Sequence, residues 1–173
     1  MPTDAPAPDL PPEVFLLEAF LPYELSVAAN RISRLFARRY SEAFGLSIAQ
    51  WRVLAVVGRH GTLSPGQVAE ATEMDKVKVS RAAAMLVEQG LLSQAADPQD
   101  GRARTLRLTE RGGEVHRGIV PLARALEAQV AAGMAEEEWA ALRPALRRLS
   151  RHVAELELRE RLSGGLESPA RLP

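Results

Sequence analysis

The chain has 173 residues, Lys+Arg 22 against Asp+Glu 22, and is 46% hydrophobic but only 5% aromatic. A core filled by Leu, Ala and Val follows, and wholesale disorder is excluded. The absence of cysteine excludes disulfides, thiol nucleophiles and cysteine-held zinc or iron–sulfur sites, while a net charge of zero leaves only the distribution of charge to speak of partners.

No apolar run reaches the ~18 residues of a membrane helix, and the first residues lack the basic start of a secretory signal. A cytoplasmic protein is the expectation. Pro2, Pro6, Pro8, Pro11 and Pro12 make residues 1–12 an extended, disordered arm. A first helix is predicted from Glu13 to Phe44, with Val14, Leu17, Leu21, Leu25, Ala28, Ile32 and Leu35 as its apolar stripe and a kink or division at Pro22. Gly45 ends it.

Ser47-Ile48-Ala49-Gln50 has the form of a capping box and opens a second helix, which Gly58 and Gly61 terminate. Ser64-Pro65-Gly66-Gln67 is another such box, with proline at the first helical position, and opens a short third helix to Ala71. Asp75 caps a fourth helix, which runs with Val79, Ala83 and Leu86 inward as far as Gly90. Two extended runs, Leu91–Ala95 and Arg104–Leu108, flank a Pro-Gly turn and form a hairpin. Its alternation puts Leu106 and Leu108 on one face, Thr105 and Arg107 on the other.

Thr109 caps a fifth helix, with Val115, Ile119, Leu122, Leu126 and Val130 on one face. The acids Glu136, Glu137 and Glu138 open a sixth. Along it, Trp139, Leu142, Leu146, Leu149, Val153 and Leu156 recur at alternating steps of three and four, a narrow seam of coiled-coil type. This seam exceeds what the fifth helix needs and asks for a second surface. Residues 163–173 read as a flexible tail.

The order helix, short helix, capped helix, hairpin is that of a helix-turn-helix with a wing. A major groove about 12 Å wide admits one helix, presented by its first turn. Here that turn carries Lys76, Val77, Lys78, Ser80 and Arg81, and includes the only two lysines of the chain. Ser64 and Gln67 start the preceding helix, where backbone N–H groups suit a phosphate. The wing supplies Arg102 at its tip, placed for a minor groove, and Arg104 and Arg107 on its returning strand.

Five pieces together carry a family resemblance: Gly45-Leu46-Ser47-Ile48-Ala49-Gln50-Trp51, Met74-Asp75-Lys76-Val77-Lys78-Val79-Ser80-Arg81, Gln89-Gly90-Leu91-Leu92, Asp97-Pro98-Gln99-Asp100-Gly101-Arg102 and Leu108-Thr109-Glu110-Arg111-Gly112. In order and spacing the chain resembles the MarR family of winged-helix transcription regulators across about residues 13–160. The fold class implied is mainly α: a winged helix-turn-helix with long N- and C-terminal dimerisation helices and a two-stranded wing. In these terms residues 13–45 and 110–162 are dimerisation helices and 46–109 the DNA-binding lobe. The resemblance implies an obligate homodimer on a pseudo-palindromic duplex operator, a repressor released by a small anionic ligand. Val77-Lys78 stand where members often carry Ser-Thr, so the family's base preference does not transfer.

For such a ligand the sequence offers Arg31, Arg34 and Arg38, which share one face of the first helix and suit a carboxylate or coenzyme A phosphates. Tyr23, Trp51 and His60 are the candidates for its apolar part. An aromatic acid or its coenzyme A thioester is the class implied. The alternative is a constitutive winged-helix scaffold, binding DNA or a partner, with no ligand. Three scattered histidines, no Gly-rich phosphate loop and no paired-carboxylate motif argue against an enzyme, and neither cofactor nor metal is expected.

Overall fold

The structure, a computed structural model, describes residues 15–96 and 104–163. It is mainly α-helical with one two-stranded antiparallel sheet, the winged helix-turn-helix class expected. The chain falls into two compact units, divided between Ala123 and Arg124, within the fifth helix.

In the first unit a short 3-10 turn, Leu17–Ala19, precedes α1, Leu21–Phe44. Pro22 neither kinks nor divides that helix. It lies in its first turn, where the missing N–H had no intrahelical partner to lose. The helix therefore starts later than the periodicity suggests, and the residues before it have a separate conformation. Gly45 closes it at φ 66°, a left-handed position that favours glycine.

Both capping boxes form. Ser47 Oγ accepts from the Gln50 N–H at 3.3 Å while the Ser47 N–H donates to Gln50 Oε1 at 2.9 Å, opening α2, Ile48–His60. Ser64 and Gln67 repeat the exchange at 3.2 and 2.8 Å, opening α3, Pro65–Thr72. Gly61 ends α2, but Gly58 lies inside it. A Cβ at Gly58 would come within 2.8 Å of the His116 ring, so this glycine makes room for a neighbour and does not terminate the helix.

The next helix, α4, spans Lys76–Glu88. Asp75 accepts from the N–H groups of Val77 at 2.8 Å and Lys78 at 3.2 Å, satisfying two of the orphan donors at its start. The strands β1, Leu92–Ala96, and β2, Arg104–Leu108, pair from Leu92↔Leu108 to Ala96↔Arg104. The first strand begins one residue later than expected, because Leu91 donates to the Leu86 carbonyl and accepts from Thr109. Leu63 adds an isolated bridge on the other side of Leu106, exchanging hydrogen bonds of 3.1 and 2.7 Å.

The core of this unit is aliphatic. Val53, Leu54 and Val57 of α2, Val68 of α3, Val79 and Leu86 of α4 and Leu106 of β2 are all fully buried. Each contributes about 1.5–3 kcal/mol relative to exposure. Thr109 then starts α5, Glu110–Ala131: its Oγ1 accepts from the Gly112 N–H at 2.9 Å and donates to the Gly90 carbonyl at 2.7 Å.

The second unit contains the end of α5 and all of α6, Glu136–Leu162. The Glu138 carboxylate accepts from the Ala135 N–H at 2.9 Å and secures the start of α6. Arg143 pairs with Glu127 beside a cleft lined by Trp139, Leu142 and Leu146. No residue of α6 is buried. Along its seam Leu146 and Leu149 are 41% exposed and Val153 and Leu156 43%.

Candidate nucleic-acid interface

The candidate DNA-facing surface belongs to α3, α4 and β2. Val79, Ala82, Ala83 and Leu86 turn α4 inward, leaving Lys76, Val77, Lys78, Ser80 and Arg81 exposed. Asp75 ties down the backbone of that turn, so the cationic side chains leave a fixed frame. Ser64 is half-buried and Gln67 exposed, and both are engaged in capping α3. Their side chains and their own N–H groups are thus spoken for within the cap, and Pro65 has no N–H, so of this first turn only the Gly66 N–H is not engaged in it. Arg104 and Arg107 are exposed on β2. Arg102, assigned to the wing tip, lies outside the described residues.

A network that the sequence pattern did not reveal holds the rear of α4. The Gln50 side chain is buried, and its Nε2 donates to Gln89 Oε1 at 3.3 Å, across 39 residues of chain. Arg111 Nη1 donates to the Gln89 carbonyl at 3.2 Å. A Cβ at Gly112 would stand 1.9 Å from the Leu91 carbonyl oxygen, so only glycine permits this approach. The turn that ends α4 is therefore fastened to the first turns of both α2 and α5. The family-like Gln89-Gly90-Leu91 and Thr109-to-Gly112 pieces marked the place but not the bonds.

The candidate effector residues divide. Arg31, Arg34 and Arg38 line one concavity with Ala37, and Tyr23 lines a neighbouring one with Arg31, Val27, Ala28 and two carboxylates, Glu18 and Glu24. Among the described residues the ion pairs are Arg39–Glu42, Arg143–Glu127 and His152–Glu155, and none involves these three arginines. Trp51 is in neither concavity. Its ring stands 5.4 Å from Tyr40 and 6.2 Å from His116, in a cluster that also takes in Phe36. Burial pushes the Tyr40 hydroxyl above its ordinary titration range, partly opposed by its hydrogen bond with Trp51. His60 is exposed at the end of α2 and joins neither group. Among the described residues no cluster of three His, Asp or Glu could hold a metal ion, and no helix is long and apolar enough to cross a membrane.

The family model described as the MarR family matches residues 44–103. A crystal structure of a probable transcriptional regulator from Pseudomonas aeruginosa is 30% identical and superposes with a TM-score of 0.71, over 78% of this chain and 99% of that one. The regulator BpsR of Bordetella bronchiseptica, whose DNA binding is regulated by 6-hydroxynicotinic acid, is 26% identical with a TM-score of 0.73, over 79% of this chain and 97% of its own. An uncharacterised helix-turn-helix regulator of Mycobacterium bovis is 28% identical over 73% of this chain and 78% of its length. Agreement in the lobe's sequence with the family model, and in fold along almost the whole of the Pseudomonas structure, leads to one conclusion: the chain belongs to the MarR family of DNA-binding transcriptional regulators, whose fold and family are not those of an enzyme.

Proposed function

We propose that the chain works as a homodimer. Its two α4 helices enter successive major grooves of a pseudo-palindromic operator, and it represses until a small anionic ligand releases it. The observation that carries this reading is the seam of α6, apolar at alternating steps of three and four and about two-fifths exposed from Leu146 to Leu156. A second copy covers such a seam best, because a twofold axis places like against like. On this reading residues 13–45 and 110–162 join the subunits and 46–109 read DNA. Lys76, Lys78, Arg81 and the β2 arginines supply the cationic contacts, with Ser64, Gln67, Ser80 and Arg102 beside them.

Support for an effector comes from Arg31, Arg34 and Arg38, three guanidiniums around one concavity without a carboxylate partner among the described residues. Tyr23 nearby suits the ring of an aromatic acid, and the relative regulated by 6-hydroxynicotinic acid answers to a ligand of that chemistry. Trp51 and His60 stay outside the proposed pocket. A tenfold effect on DNA binding requires about 1.4 kcal/mol of preference for the non-binding spacing.

Selection from a random duplex library at low salt, with sedimentation of the same sample, tests the reading. Two subunits per inverted repeat are expected, displaced by an aromatic acid or its coenzyme A ester in the wild type and less so in Arg34→Ala. A single subunit in solution, or no duplex retained, overturns it.

A further inference from the structure

Within the exposed side of α4, the residues are not equivalent. At about 100° per residue, the buried set Val79, Ala82, Ala83 and Leu86 defines the inward direction. Val77, Arg81 and Ala84 then lie within about 30° of the direction directly opposite. Lys78 flanks that line on one side, Ser80 and Lys76 on the other. Val77 is 56% exposed, an apolar side chain held out between two ammonium groups. Among the described residues it is left more than half open, and Asp75 fixes its backbone through a hydrogen bond of 2.8 Å.

Accepting α4 as the element that enters the groove, we infer that Val77 and Arg81 read bases while Lys76 and Lys78 hold phosphates. The midline of the helix meets the groove floor, and the flanks meet its two walls. Val77 has no polar atom beyond Cβ, so the base feature that it recognises is the C5-methyl of thymine. Arg81, one turn further along the same line, suits the O6 and N7 acceptors of guanine. Ala84 is small enough to let the helix approach closely. Glu88, on the same midline about 16 Å beyond Val77, repels phosphates and confines reading to the first turns. Each half-site therefore contains a thymine and, close by, a guanine.

The test uses the full chain and duplexes selected from a random library. Each selected thymine is replaced in turn by deoxyuridine, which removes only the methyl, and each guanine by 7-deazaguanine, which removes N7. One uracil position per half-site should weaken wild-type binding about fourfold, and Val77→Ala should be indifferent to it. One deazaguanine position should cost at least about fivefold, and Arg81→Ala should be indifferent to that. Lys76→Ala and Lys78→Ala should lower affinity for all sequences alike and flatten its salt dependence. Selected half-sites without thymine, or a uracil penalty identical in wild type and Val77→Ala, would overturn the assignment and leave DNA binding by α4 intact. A library that is not retained overturns both.

Discussion

The lobe formed by α2 to β2 and the helix α6 solve the same problem in opposite ways. In the lobe, three short helices and a hairpin enclose Val53, Leu54, Val57, Val68, Val79, Leu86 and Leu106 completely. In α6, 27 residues bury none. Both stretches are amphipathic in sequence. What separates them is that the lobe's apolar faces come from short elements joined by tight turns that can close on one another, whereas α6 presents one long exposed seam. The lobe's apolar side chains are covered within the chain, while in the proposed homodimer those of α6 are covered by the second copy.

The contrast can be broken at its strongest point first. Leu86→Ala, in the lobe, should cost about 2–5 kcal/mol through the cavity it leaves, seen as a lower denaturation midpoint at every protein concentration. Replacing Leu149 and Val153 together by Asp should act differently. On the proposed homodimer it should separate the subunits and make the loss of stability concentration-dependent, by about 1.5–3 kcal/mol for each side chain no longer covered. An unchanged mass by sedimentation would remove α6 from the dimer interface.

The smallest expected effect concerns Tyr40. Its folded hydroxyl releases its proton above the ordinary value of 10.0, because burial disfavours the phenolate. The unfolded chain therefore ionises first. Stability from this group is complete below pH ~10 and is lost as pH rises from there through the folded value. Tyr40→Phe should flatten the decline of the melting temperature above pH ~10. An identical decline in both proteins would mean that Tyr40 does not remain protonated in the folded lobe.

Much of the lobe was legible in sequence because its signals are local. Ser47 with Gln50 and Ser64 with Gln67 are capping boxes three residues wide, and Asp75 caps from the position next to its helix. What failed was ambiguous punctuation. Pro22 suits a first turn as well as a kink, and Gly58 makes room for His116 where it was expected to stop a helix. What stayed hidden was non-local. The Gln50–Gln89 bond and the Leu63–Leu106 bridge join residues that no spacing rule connects. The same limit applies to Trp51, whose packing against Tyr40 and His116 no spacing rule announces.

Gly112 carries one mechanical consequence. Its bare α-carbon rests against the Leu91 carbonyl, so α5 and the chain leaving α4 meet main chain to main chain. No rotamer stands between them to absorb a tilt. With Arg111 gripping Gln89 from the same turn, leverage applied to the start of α5 is delivered undamped to the base of α4, the helix proposed to read DNA.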